Sequence, residues 1–204
     1  MTTIYPAELR NYLDQFYQLS DQEYELFSSY FDVVHYRPKQ KLIDEGEQEY
    51  FIYYVVKGIF RKYFHREKAE VVTAFFKEND ICHSVVSFFT GIPSNVVIEA
   101  IEPSVCVRIR RHDLEFLFTQ IPGLEKIFRN VLVNLYVKKD IDQMNNLRYS
   151  KKERFLLFCE QSPELLQRVP QKHLASYLEM AAETFCRMKH VRYEMARKKM
   201  NETC

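Results

Sequence analysis

A chain of 204 residues, 47% hydrophobic and 28% charged, lies between one domain and two and can bury a core without staples. No apolar run reaches the roughly 18 residues of a membrane span, and MTTIYPAELR lacks the regions of a secretory signal, so a cytoplasmic protein with no membrane partner is expected. The net charge of +1 conceals an asymmetry: residues 151–204 hold 11 Lys and Arg against 7 Asp and Glu, and the remainder 18 against 21. A basic C-terminal part beside an acidic N-terminal part suits a DNA-binding module joined to a sensing module. Five widely spaced cysteines (Cys82, Cys106, Cys159, Cys186 and Cys204), with no CxxC pair, suit reduced thiols better than a disulfide framework or a metal site.

The first thirty residues predict two helices. Pro6 opens one carrying Leu9, Leu13 and Phe16, and Ser20-Asp-Gln-Glu23 is a capping box that starts the next. From about Phe31 the pattern becomes β. Val33 and Val34, then 41–43, 51–56, 59–64, 71–76, 96–101 and 105–109, are short stretches rich in β-branched and aromatic residues, divided by turn material such as Glu45-Gly46 and Lys57-Gly58. Many short strands without intervening helices predict a sandwich or jelly roll. Pro122-Gly123 then breaks the chain, and residues 124 to about 147 predict one long helix. Its apolar stripe runs Leu124, Phe128, Val131, Leu135, then restarts two residues on as Val137, Ile141, Met144. One face can rest on the β part while the other meets a partner, most simply a second copy in a two-stranded coiled coil, with Phe128, Val131, Leu135, Ile141 and Met144 as the dimer residues.

A second capping box, Ser150-Lys-Lys-Glu153, marks a domain boundary. Behind it come a helix with Phe155, Leu156 and Phe158, a helix start at Ser162-Pro163, and Val169-Pro170 opening the stretch QKHLASYLEMAAETFCRM. There the apolar residues fall at the offsets of two short helices crossing at a tight turn. Leu174, Ala175, Leu178 and Met180 face inward from the first helix and turn, Phe185 and Met188 from the second, and Glu183, Thr184 and Arg187 point outward. Lys172, Lys189, Arg192, Arg197, Lys198 and Lys199 are candidates for phosphate contacts, although solvated helix charge explains any one of them equally well. The tail HVRYEMARKKMNETC reads as helix rather than as a winged hairpin.

In combination these residues resemble the Crp/Fnr transcription regulators. LIDEGEQEYFIYYVVKG, with Gly46 and Gly58 twelve apart around an apolar strand, is similar to the family's strand-turn-strand signature, and Glu49 stands where a small residue is usual. The resemblance covers nearly the whole chain. It implies an α+β architecture: a cyclic-nucleotide-binding-like jelly-roll sensor over 1–123 with flanking helices, a long dimerisation helix over 124–149, and an all-α helix-turn-helix DNA-binding domain over 150–204. It also implies a transcription regulator, not an enzyme, whose partners are double-stranded DNA, a second copy of the chain, and RNA polymerase. Glu183-Thr184 and Arg187 look like the family's base-reading positions. Chemically, Arg187 can donate two bonds to a guanine, Glu183 can accept from cytosine N4, and Thr184 can reach a phosphate. The bland alternative is that Glu183 and Arg187, four apart, form only a surface pair.

The family's ligand cassette matches residues 82–95, where His83 takes the glutamate place, Pro93 the arginine place, and Ser84, Ser94 and Asn95 lie beside them. Proline supplies neither charge nor donor, and a hydroxyl alone does not offset the desolvation of an anion. Cyclic AMP is therefore not expected to bind in the family's usual manner. The degenerate pocket is empty, filled by Phe88 and Phe89, or specific for an unidentified small-molecule effector. No cofactor is expected: no cysteine precedes Cys82, which argues against an iron–sulfur cluster, and Cys82-His83 alone is a poor haem site. Converging histidines and carboxylates, which a jelly-roll enzyme or metal protein would need, are absent from the spacing. At the DNA-reading end, Glu179 occupies the place of the left-handed glycine and Ala181 that of the Ser or Thr N-cap, each a loss of about 1 kcal/mol. These two departures support the rival reading, a sensor or scaffold that keeps the fold and has lost sequence-specific DNA binding.

Overall fold

The structure, a computed structural model, describes residues 7–190. Helix α1 (Ala7–Asp14) buries Leu9 and Leu13. The expected capping box starts α2 (Asp21–Ser28): Ser20 Oγ accepts the Glu23 N–H at 3.3 Å, and the Glu23 carboxylate accepts the Ser20 N–H at 2.8 Å. Eight strands follow: β1 (Asp32–Tyr36), β2 (Lys41–Ile43), β3 (Phe51–Lys57), β4 (Phe60–Arg66), β5 (Ala69–Phe76), β6 (Ile81–Cys82), β7 (Val97–Ala100) and β8 (Ser104–Arg110). They build two antiparallel four-stranded sheets, ordered β1-β8-β3-β6 and β2-β7-β4-β5. Tyr36, Tyr53, Val55 and Cys106 from the first sheet meet Ile43, Phe60, Ile98 and Ala100 from the second in the interior of the jelly roll. At the β3–β4 turn Gly58 takes φ 95°, and a Cβ there would lie 2.1 Å from Ser104 Oγ, so only glycine fits.

The outer face of the first sheet is covered by helices. Leu9, Leu13 and Phe27 pack with Tyr54, Val107 and Ile109, with Leu114 and Leu117 of α4 (Arg111–Gln120), and with Leu124, Ile127 and Val131 of α5 (Pro122–Arg148). Pro122 and Gly123, expected to break the chain, instead form the first turn of α5. Proline is tolerated there because its missing N–H would have no intrahelical acceptor. Without a side chain, Gly123 lets the Tyr17 ring lie where a Cβ would sit 2.3 Å from Cε1.

The two halves of α5 differ. Val131 is 5% exposed, and Phe128 and Leu135 are half-buried against the same cluster, so these three proposed dimer residues serve the chain's own roll. Farther along, Val133, Tyr136, Val137, Ile141, Met144 and Leu147 are exposed.

The second capping box is also formed: Ser150 starts α6 (Lys151–Gln161), its N–H 2.9 Å from Glu153 Oε2. Ser162-Pro163 does not open a helix directly. A turn comes first, the Ser162 carbonyl accepting the Leu165 N–H, and α7 (Leu165–Arg168) begins after it. Helix α8 (Gln171–Tyr177) and a helix over 182–190 complete the described chain. Phe155, Phe158, Leu165, Val169, Leu174, Leu178 and Phe185 form a core that also contains Ile59 of the roll. Among the described residues, no helix is long and apolar enough to cross a membrane.

Candidate functional site

The junction after α8 is a Schellman turn made without glycine. The Glu179 N–H donates to the Ser176 carbonyl at 3.0 Å and the Met180 N–H to the Ala175 carbonyl at 2.9 Å, the two bonds that define the motif. The motif needs a left-handed residue, and Glu179 takes φ 55°. Met180 packs in the same core as Ala175, the apolar contact that usually accompanies this turn. Holding a glutamate there costs about 1 kcal/mol, little of which is returned by Arg154 Nη1 at 3.4 Å, since the Glu179 side chain is largely exposed. Ala181 accepts the Phe185 N–H on its carbonyl at 3.0 Å, but its methyl cannot cap the other first-turn N–H groups.

The Phe185 ring is completely buried and meets Phe155 edge to face, with centroids 5.4 Å apart. That anchor fixes which side of the helix faces out. Glu183 and Arg187 are exposed, Thr184 and Lys189 half-buried, and Lys172 exposed on α8. Arg192, Arg197, Lys198 and Lys199 lie outside the described residues, as does the stretch read as helix in place of a wing.

The helical part is docked on the roll through polar groups as well as Ile59. Strand β5 is a sheet edge, and Ser176 Oγ of α8 accepts the Val72 N–H and donates to the Glu70 carbonyl, both at 3.0 Å, so that α8 satisfies groups a neighbouring strand would otherwise take. Arg61, 5% exposed, is held by Glu70 and by Glu99 at 3.0 Å and donates to His173 Nδ1 of α8 at 3.0 Å. Burial, with Arg61 beside it, pushes His173 down to about 4. Arg168 binds Glu78 at 2.6 Å and also Glu102, and Lys77 binds Glu164. The Arg168 guanidinium holds the Glu78 carboxyl down at about 2.

In the cassette, α3 (Val85–Thr90) is entered through Ser84 and left through Gly91 at φ 72°. The hydroxyls of Ser84 and Ser94 lie 2.9 Å apart, and Ser94 Oγ also reaches the Val96 carbonyl at 2.7 Å. Ser84 and Ser94, the residues that follow His83 and Pro93, therefore face each other, and both are uncharged. Pro93 and Asn95 point to the surface. Phe88 is buried, while Phe89 packs on it at 5.1 Å and on Phe128 of α5 at 6.2 Å. Two charge-bearing groups here were not singled out as site residues. Glu49 is 4% exposed, donates its N–H to Ser87 Oγ at 2.9 Å, and has its carboxyl pushed up to about 7 by burial. Lys62 of β4 is a partly buried lysine on an otherwise apolar strand face, and no spacing marks it out. No group of three or more His, Cys, Asp or Glu side chains among the described residues is placed to hold a metal ion.

Residues 33–120 match the model of the cyclic nucleotide-binding domain. No curated protein matches the chain. Among solved structures, FixK2 from Bradyrhizobium japonicum is similar with a TM-score of 0.69 at 19% identity, covering 81% of this chain and 86% of that one. The c-di-GMP-responsive global regulator CLP of Xanthomonas campestris gives 0.66 at 17%, covering 86% and 93%. The catabolite activator protein of Thermus thermophilus gives 0.55 at 19%, covering 91% and 88%. With two antiparallel sheets closed into a roll, a long helix behind them and a helical C-terminal part, the chain has the fold of the Crp/Fnr regulators, and its roll is similar to the cyclic nucleotide-binding domain.

Proposed function

We propose that the protein is a homodimeric, sequence-specific DNA-binding transcription regulator, with 150–204 as the DNA-binding part, 124–149 as the dimer helix and 1–123 as the sensor. The observation that supports this reading is the turn at Glu179: α8 and the helix over 182–190 are joined through both Schellman bonds even though no glycine is present, and Glu183 and Arg187 are left exposed. Its dimer would form along the second half of α5, where Val133, Val137, Ile141 and Met144 recur at spacings of four and three and are exposed. Two recognition helices about 34 Å apart would read an imperfect palindrome in successive major grooves. The sensor would not bind cyclic AMP in the family's usual way, because Pro93 in the arginine place supplies neither charge nor donor and the Ser94 hydroxyl alone does not offset the desolvation of a phosphate.

Selection of duplexes from a random pool at physiological salt tests this. A palindrome should be recovered, and Arg187→Ala should lose preference at one position of each half-site by about 1–3 kcal/mol. Lys172→Ala should instead weaken all duplexes alike and lower the salt slope by about 1. A pure dimer that enriches no sequence would overturn the reading in favour of a fold kept without DNA recognition.

A further inference from the structure

Arg61 of β4 and His173 of α8 meet where the helical part lies on the roll, and each N–H of the guanidinium has an acceptor. Nε donates to Glu99 at 3.1 Å, Nη2 to Glu99 at 3.0 Å and to Glu70 at 3.3 Å, and Nη1 to Glu70 and to His173 Nδ1 at 3.0 Å. An arginine donates and never accepts, so Nδ1 carries no proton and the imidazole is neutral. Protonation would set two N–H groups and two positive charges against each other where Arg61 is 5% and His173 9% exposed. The charged groups around the ring do not relieve this. Glu70 of β5 and Glu99 of β7 are committed to Arg61, Tyr63 of β4 has its ring 4.1 Å from the guanidinium, and Lys172, next to His173 on α8, is itself a cation. Burial first, then Arg61, holds His173 down at about 4, and the bond from Arg61 keeps the Glu70 carboxyl below its ordinary range, so Glu70 stays charged in mild acid. One turn along α8, Ser176 makes its two 3.0 Å bonds to Val72 and Glu70, so the contact with Arg61 and the cover over the β5 edge lie on one face of the helix. The other ion pairs of this surface, Arg168 with Glu78 and Glu102 and Lys77 with Glu164, lie at α7, and the Glu78 and Glu164 carboxyls are held low by Arg168 and Lys77.

We propose that this contact is an acid-sensitive latch: protonation of His173 releases α8 from Arg61 and from the β5 edge, while the ion pairs at α7 keep the helical part tied to the roll. The latch depends on two charges facing each other and not on DNA recognition, so it stands apart from the function proposed above. What opposes release is apolar and indifferent to pH in this range, chiefly Tyr177 of α8 on Phe75 of β5, with ring centroids 5.3 Å apart. The sign follows from the direction of the shift. The docked histidine is held below its free value of 6.5, so docking is complete above 6.5 and weakens by up to tenfold per pH unit as pH falls towards 4.

Hydrogen exchange of the whole chain tests the latch, read as the protection of the Val72 N–H after correction for its intrinsic rate. Val72 should be less protected than the β3–β8 ladder, because α8 leaves before the roll unfolds. Its protection should fall about tenfold from pH 6 to pH 5, since the released form binds a proton that the docked form refuses. His173→Gln offers Arg61 an amide oxygen that does not titrate, and there the same step should change protection by less than about twofold. The parent alone decides the first two points, so the test survives a variant that fails to fold. Equal protection of Val72 and the ladder at every pH, a Val72 protection that is flat or rises in acid, or an equally steep fall in a folded His173→Gln would overturn the latch. A rise would mean that the charged ring pairs with Glu70 instead of repelling Arg61. Duplex selection at pH 7 on the same samples separates the failures: a chain that selects a palindrome but keeps Val72 protected in acid loses only the latch, and one that releases α8 but selects nothing loses only the DNA reading.

Discussion

The turn after α8 and the stretch over 82–95 both depart from the Crp/Fnr pattern, but at positions with different jobs. Glu179 and Ala181 replace residues whose role is backbone geometry, and the geometry survives: φ 55° at Glu179 and both Schellman bonds are present. In the cassette the resemblance puts His83 and Pro93 where side-chain charge would do the work, and the two neighbouring hydroxyls of Ser84 and Ser94, 2.9 Å apart, do not replace it. A lost conformational preference costs about 1 kcal/mol and can be absorbed, whereas a lost charge changes which ligand is held. The largest expected effect tests the packing behind this contrast. Phe185→Ala, at a completely buried ring, should cost about 3–5 kcal/mol in urea unfolding. Phe89→Ala in the cassette, at a ring 37% exposed, should cost far less. Equal losses would mean that the cassette is as tightly packed as the helical core.

Acid should expose the two ends in a second way. His173 at the docking surface and His83 in the cassette are both held down at about 4, against 6.5 for a free histidine. Between those values the unfolded chain binds protons that the native state refuses, so each histidine removes about 1.4 kcal/mol of stability per pH unit as pH falls. Glu49 has the opposite sign. Its folded value of about 7 exceeds the ordinary 4.5, so it adds a similar amount as pH falls through that window, and its contribution is lost as pH rises through 7. The net expectation from pH 6.5 to 4.5 is a loss near 1.4 kcal/mol per unit. In urea unfolding, Glu49→Gln should about double that slope and His173→Gln should abolish it. A slope unmoved by His173→Gln would show that the docking histidine is not held neutral.

Much of this architecture is legible in local sequence because local physics sets it. Both capping boxes, the long helix and the inward residues from Leu174 to Phe185 follow from spacing alone. What was illegible is non-local or lacks a signal. Strand β6 has two residues, too few for a period, and α4 starts after Arg110, which offers no capping side chain. The Ser84–Ser94 pairing depends on a register that cassette length does not fix. Ser176 bonds to groups 104 and 106 residues away, and no window of sequence joins them. Lys62 was missed because a charged residue in an amphipathic strand is ordinarily assigned to the solvent face.

The smallest expected effects make the sharpest comparison. Ala181→Ser should supply the missing cap to the helix over 182–190 and raise stability by about 1 kcal/mol. Glu179→Gly relieves the left-handed residue, but it also raises unfolded-chain entropy and removes a partner of Arg154, a residue only 8% exposed whose Nε already lacks a partner among the described residues. Its gain should therefore stay below about 1 kcal/mol, by the same bookkeeping. If these are positions of geometry alone, both variants should melt at or above the parent temperature and select the same duplex sequence. A changed sequence preference in either would mean that the turn helps to set how Glu183 and Arg187 are presented, and that the division between backbone and chemical positions fails at the reading end.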